Sequence, residues 1–262
     1  MLLAADIGNT HIVLGVLEGE KVLFEMRLAT DRGKTSDQYA MEILKILSLN
    51  GIRREQIEDC ILSSVVPPVM NAVRSGMMKI LHREPLVVGP GVKTGLNIRM
   101  DDPSSVGTDR IVIAVGALSR YEPPMILMDF GTATTMEVID PKGTYVGGCI
   151  IPGVRTALDG LIAKTAQLPN VALEAPEKII GTNTEKCIRS GLIYGAAAMT
   201  DGMIERTQQE LGASCRVIAT GGLAHVVIPL CKQRVQIEDD LLIEGLRVIY
   251  EKNRKKRTVN SR

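Results

Sequence analysis

Short apolar runs, each ended by glycine, proline or a polar cluster, alternate along the first part of the chain with stretches whose apolar positions follow helical spacing. "LLAADIG", "HIVLGVLEG" and "KVLFEMRLAT" predict three strands. In the third, Val22, Phe24, Met26 and Leu28 share one face against Lys21, Glu25 and Arg27 on the other. The turn "EGEK" predicts a hairpin between the second and third. Thr35 and Gln38 then spell a capping box, and Ala40, Ile43, Leu44 and Leu47 form the apolar stripe of a helix. A strand "CILSSVV", a break at Pro67 and Pro68, a helix "VMNAVRSGMMKIL" and a short strand "PLVVG" follow, which gives the order β-β-β-α-β-α-β.

The same order starts again after Tyr121. "MILMDFG", "TTMEVID" and "TYVGGCIIPG" predict a second three-stranded meander. Helices are expected over residues 154–166 and 184–211, then a strand "CRVIATGG", a helix from Leu223, a strand "VQIED" and a closing amphipathic helix that ends near Lys252. The chain therefore predicts an α/β protein built from two copies of one topology, with an N-terminal domain over residues 1–118, a C-terminal domain over residues 119–250 and a basic tail over residues 251–262. Each copy opens on a strand ending in Asp-x-Gly. A chain of this length should hold that tripeptide about once by chance, and it holds three: Asp6 to Gly8, Asp31 to Gly33 and Asp129 to Gly131. The copy at Asp31 follows no apolar strand and reads as a surface turn. The other two each end a strand and begin a meander, so their position distinguishes them.

Composition narrows the chemistry. A net charge of +1 with interspersed signs argues against a nucleic-acid binder, which concentrates basic residues on one face. The basic run "KNRKKR" at residues 252–257 reads as a solvated tail. Cys60, Cys149, Cys187, Cys215 and Cys231 form no close pair and no secretory leader precedes them, so reduced thiols and a cytoplasmic location are expected. The apolar runs are too short to span a membrane. With only His11, His82 and His225 available, a histidine triad or zinc centre has little material, and catalysis is expected to use carboxylates.

Glycine in the two loops lets backbone amides approach a ligand closely, and the side chains of Asn9, Thr10, Thr132, Thr134 and Thr135 add donors suited to phosphate oxygens. A carboxylate at the strand end repels phosphate but can hold a cation that binds it. Two such loops could grip the phosphate chain of a nucleotide with its metal. "ATGGLAH", with Gly221 and Gly222 after a strand, could let an adenosine lie against backbone, although it is also an ordinary strand-to-helix connection.

Two Asp-x-Gly phosphate loops opening duplicated halves, with a late Gly-Gly loop, resemble the superfamily of sugar kinases, actin and heat-shock chaperone ATPases. Within it, "DIGNT", "SSVVPP", "VVGPGVKTGLNI", "VGTDRI", "DFGTATT", "GGCIIPG", "IGTNTEKCIRSGLIYG" and "VIATGGLA" together resemble the type III pantothenate kinases over residues 2–250. The resemblance implies two ribonuclease-H-like domains with a nucleotide cleft between them, a homodimer, and transfer of the ATP γ-phosphate to pantothenate with Mg²⁺ and a monovalent cation, K⁺ or NH₄⁺.

It also implies roles for residues. Asp6, Ile7, Gly8, Asn9, Thr10, His11, Ile12 and Val13 match the first phosphate loop, in which Asp6 organises Mg²⁺ through water. Asp129 matches the monovalent-cation ligand, Thr132 an ATP contact, and Gly221 with Gly222 the adenosine loop. Gly107, Thr108, Asp109 and Arg110 match the substrate segment, in which Asp109 is the general base. A kinase base need only accept a proton as the hydroxyl attacks, so a carboxylate suffices. Arg110 supplies a planar cation. Thr184 matches a second substrate contact, although it could equally be only a helix N-cap.

Two positions depart from the pattern. Thr108 stands where the family usually has alanine, which adds a hydroxyl beside the expected base. Met100 stands where a tyrosine commonly walls the pantothenate pocket. The alternatives are a same-fold kinase with another substrate, and a nucleotide-binding regulatory accessory protein. Gly191 and Gly195 would allow close helix approach, either within the chain or across a dimer.

Overall fold

The computed structural model describes the backbone of residues 1–260 and the side chains of residues 1–254; of the basic tail expected at 251–262, residues 251–260 continue the last helix, which the sequence pattern ends near Lys252. Two compact units are present. One holds Met1–Leu96, Asp102–Arg120 and the chain from Asp240 on. The other holds Asn97–Asp101 and Tyr121–Asp239.

In the first unit, strands β1 (Leu2–Ile7), β2 (His11–Glu18) and β3 (Lys21–Ala29) form the expected meander. Helix α1 (Ser36–Leu49) starts at Thr35, and the capping box forms as read: the Thr35 hydroxyl accepts from the Gln38 N–H while the Gln38 side chain accepts from the Thr35 N–H. β4 (Asp59–Ser64), α2 (Pro67–Leu81) and β5 (Leu86–Val87) follow. Pro67 and Pro68 do not break the chain; they are the first two residues of α2, where a missing N–H costs nothing. The sheet order is β3-β2-β1-β4-β5.

Every residue of β1 is buried because helices cover both faces of the sheet. Leu3, Ala5 and Ile7 join Tyr39, Ile43 and Leu47 of α1 and Val69, Val73 and Met77 of α2 in one cluster. Leu2 and Ala4, on the opposite face, join Val112 and Val115 of α3 (Thr108–Arg120) and Ile243, Leu246 and Ile249 of α7 (Leu241–Asn260). Each large aliphatic side chain so buried is worth about 1.5–3 kcal/mol. The final helix is therefore part of the first unit, which departs from the contiguous division at residue 118/119. Leu2 and Ala4 need an apolar cover, and α7 carries it. Its approach to α3 is close enough that a Cβ on Gly245 would collide with the carbonyl of Val112, and one on Gly116 with the carbonyl of Leu241.

The second unit repeats the pattern. β7 (Met125–Phe130), β8 (Ala133–Ile139), β9 (Thr144–Pro152), β10 (Arg216–Thr220) and β11 (Gln236–Ile237) stand in the order β9-β8-β7-β10-β11. A short strand, β6 (Asn97–Ile98), pairs in parallel with β9 and was not legible in the sequence. Helices α4 (Val154–Ala163), α5 (Thr184–Leu211) and α6 (Ala224–Val227) supply Val154, Ile193, Ala196, Ala197, Ile204, Ala224 and Val227 to the cluster over Ile126, Met128 and Met136. The helix expected from Leu223 is a single turn of α6 continued by a 3₁₀ turn, Ile228–Leu230, whose second residue is Pro229.

Candidate active site

The first loop is shaped by backbone. Gly8 N–H donates to the His11 carbonyl at 3.0 Å, and the Thr30 hydroxyl donates to the Gly8 carbonyl at 2.7 Å, so β3 braces the turn between β1 and β2. Asn9, Thr10 and His11 are exposed at its tip, open to a ligand. Ile7, Ile12 and Val13 are different: their side chains are buried in the core, Ile7 and Ile12 on one face and Val13 on the other. Of the eight residues read as the phosphate loop, these three can offer only backbone atoms. Asp6 is 4% exposed, at the carboxyl end of the central strand. A carboxylate buried there is costly unless hydrogen-bonded, and Ser63 Oγ–H, directly across the β1/β4 ladder, donates to its Oδ1.

The same strand end reaches the second carboxylate. Thr108 and Asp109 open α3, and the Thr108 hydroxyl donates to the carbonyl of Ser64 at 3.1 Å. That settles where the departing hydroxyl goes: it holds the start of α3 to the end of β4. Asp109 Oδ1 accepts from the Arg110 N–H at 2.8 Å. Burial pushes the Asp109 carboxyl above its ordinary value, opposed in part by that N–H and by the Arg110 guanidinium charge. A Cβ on Gly107 would sit 2.5 Å from Asp109 Oδ1, so a larger residue there would turn that carboxylate. The first unit thus brings Asp6, Gly107, Thr108, Asp109 and Arg110 to the carboxyl end of its parallel strands, the end at which open α/β sheets bind ligands.

In the second unit, Asp129 lies near the end of β7 and pairs with Thr220 of β10. Gly221 follows at once with φ +95°, a conformation glycine adopts freely, and a Cβ there would strike the Asp129 carboxylate. Gly131 N–H donates to the Ala133 carbonyl at 3.1 Å, and the exposed Thr132 is fixed through its carbonyl, which accepts from Gly153 N–H at 3.1 Å and the Thr156 hydroxyl at 2.6 Å. Asp129, Thr132 and Gly221 therefore share one end of the second sheet, with Gly222 exposed beside them.

Thr184 is the first residue of α5, but it is not the cap. Asn183 is, accepting from Lys186 N–H at 2.9 Å, so the exposed Thr184 is left for another use. Met100 is half-buried just past β6 and belongs to the second unit, whereas residues 107–110 belong to the first. Sequence reading passed over Ser63, Ser64 and Thr30 as site residues. The first two stand in the quoted "SSVVPP", yet only the parallel register of β1 and β4 makes Ser63 the partner of Asp6.

Among the described residues no group of three or more histidine, cysteine or acidic side chains forms a metal cage. Magnesium does not need one, since it is held by one or two carboxylates while phosphates and water complete its octahedron. Asp6, at a strand end beside a glycine-bearing turn, fits that kind of donor set.

Two sheets that share a five-strand order, the second extended by β6, each open on an Asp-x-Gly turn and define a duplicated α/β fold. Solved structures agree on the fold. Component A of the (R)-2-hydroxyglutaryl-CoA dehydratase of Acidaminococcus fermentans superposes with a TM-score of 0.57 at 14% identity, covering 97% of this chain and 98% of that one. A Campylobacter jejuni chain described as a Baf family transcriptional activator gives 0.60 at 16%, covering 97% and 99%. The chain belongs to the type III pantothenate kinase family, whose model matches residues 2–206. Relatives named type III pantothenate kinase in Syntrophotalea carbinolica and Moorella thermoacetica are each 43% identical, covering 97% of this chain and 100% of their own length.

Proposed function

We propose that the protein transfers the γ-phosphoryl group of ATP to the primary hydroxyl of pantothenate, the first step toward coenzyme A, with Asp109 as the general base. The observation that carries this is the state of Asp109. It is a half-buried carboxylate whose proton affinity burial has raised, at the start of a helix tied to the strand end that holds Asp6. A base with raised affinity accepts the hydroxyl proton more readily, and a kinase asks little more of covalent chemistry. Arg110, adjacent to it, offers a planar fork for the substrate carboxylate or the moving phosphoryl group.

In this reading Asn9 and Thr10 with the Gly8 amide line the phosphates, Asp6 holds magnesium through water, and Asp129 holds a monovalent cation near Thr132. Gly221 and Gly222 receive the adenosine, and Thr184 touches the substrate. Bound magnesium neutralises phosphate charge. Nothing among the described residues is long and apolar enough to cross a membrane as a helix. The protein acts as a homodimer: Gly191 and Gly195 are exposed on α5, and a Cβ at either would meet nothing within 4 Å, so packing inside the chain does not require their small size.

The test is formation of 4'-phosphopantothenate from ATP, pantothenate and Mg²⁺, assayed with and without K⁺. Product that rises several-fold with K⁺ or NH₄⁺ is expected. No product from a chain that still binds nucleotide would sink the kinase reading and favour a regulatory accessory role, while product without cation dependence would remove the role given to Asp129. Met100→Tyr is expected to lower the KM for pantothenate severalfold, since a buried aromatic hydroxyl adds a contact worth about 1 kcal/mol. An unchanged KM would separate Met100 from the pocket.

A further inference from the structure

β4 ends in two serines, and both hold other residues in place. Ser63 is 0% exposed, and its Oγ–H donates to Asp6 Oδ1 at 2.5 Å. A hydroxyl has one proton to give, and here it goes to the carboxylate. The parallel register of β1 and β4 sets Ser63 opposite Asp6. Ser64 is fixed on two sides: its Oγ accepts from Val66 N–H at 3.0 Å, and its carbonyl accepts from the Thr108 hydroxyl at 3.1 Å. One strand end is thereby tied to both carboxylates, to Asp6 directly and to Asp109 through its chain neighbour.

We propose that the end of β4 is a positioning device for the reaction, in which Ser63 fixes the rotation of the Asp6 carboxylate toward the magnesium–nucleotide and Ser64, through Thr108, fixes the turn that carries Asp109. The inference rests on the reading of Asp6 as the magnesium-organising group. Ser63 touches neither substrate nor metal; it acts through Asp6. A carboxylate on a strand end can turn about its last torsion, and a ligand group that must meet a metal's water shell gains from having that torsion held. Thr108 extends the same logic to the base. The hydroxyl that departs from the family's usual alanine is an added tether, so this chain holds its base segment more firmly than an alanine could.

A purely structural role for Ser63, satisfying a buried carboxylate, predicts something different: loss of stability with no selective loss toward magnesium. Calorimetry of ATP binding, with and without Mg²⁺, separates the two. Ser63→Ala is expected to weaken binding of ATP in the presence of Mg²⁺ by about ten- to hundredfold, the usual cost of losing a group that orients a metal's ligand. Binding of metal-free ATP should not change. Thr108→Ala should leave both binding constants alone and lower kcat by about three- to tenfold, the worth of one neutral hydrogen bond, and Thr108→Ser should restore it. If Ser63→Ala does not fold, Ser63→Cys, close in size and a weaker donor, must show the same magnesium-selective loss in smaller degree. A Ser63 variant that melts earlier but binds Mg²⁺ and ATP as the wild type does would overturn the proposal. Should the wild type bind Mg²⁺ and ATP without phosphorylating pantothenate, the proposed reaction fails while the binding comparison still decides the role of Ser63.

Discussion

Asp109→Asn is expected to lower kcat for pantothenate phosphorylation by about 10²–10⁴-fold, the range for removing a general base, with little change in ATP affinity. The amide keeps the size and polarity of the carboxyl and can no longer take a proton. The same change should stabilise the fold at neutral pH. Burial raises the Asp109 carboxyl's proton affinity in the folded state above that of the unfolded chain. Its contribution to stability is therefore fully present below the unfolded value, where both states are protonated, and is lost as pH rises through the folded one. The melting temperature of Asp109→Asn should exceed that of the wild type at pH 7, and the gap should close as the pH falls toward the carboxylate range. A variant that loses activity and also melts earlier at neutral pH would mean that the carboxylate is held by contacts stronger than the burial it suffers. Retained activity would move the base elsewhere.

Gly245→Ala is expected to destabilise the first unit by about 3 kcal/mol, at the upper end of the cost of overpacking. The collision it creates is with a backbone carbonyl, that of Val112 in the middle of α3, which has no rotamer by which to withdraw. Relief requires α7 to slide or tilt away from α3. That motion would uncover Leu2 and Ala4 by drawing back Ile243, Leu246 and Ile249. Because α3 carries Asp109 at its first turn, the displacement should reach the base, and kcat should fall along with the denaturant midpoint. A midpoint equal to the wild type's would show that α7 is not bound to the first unit as closely as its glycine implies. Gly160→Ala in α4, where a Cβ meets nothing within 4 Å, is the matched control for helix propensity alone.

The fold was legible wherever a rule acts over a few neighbouring residues. Short apolar runs closed by turns gave β1 and β2, and alternation gave β3; the Thr35 and Gln38 pair gave the start of α1; and the doubled order of elements gave the second sheet from the first. Pro67 and Pro68 were legible as punctuation but not in sense, because proline ends one helix and begins another by the same missing N–H. β6 was not legible at all, since two residues carry no period and their strand character comes from pairing with β9.

The site divides along the same line. The sequence by itself determined the chemistry on offer: Asp6 and Asp129 each closing a strand before a glycine turn, Asp109 with Arg110 opening a helix, and a family pattern dense enough to name their roles. Tertiary structure alone decided which of those groups stand together and in what state. It buried Ile7, Ile12 and Val13 and left Asn9 and Thr10 at the tip. It gave the cap of α5 to Asn183 in place of Thr184. It set Ser63 against Asp6, gave the Thr108 hydroxyl to Ser64, and closed the first unit with a helix from the far end of the chain. The physical reason is that strand and helix periods are set by near neighbours, whereas burial, ladder register and the proton affinity of a carboxyl are set by residues far apart in sequence that meet only when the chain has folded.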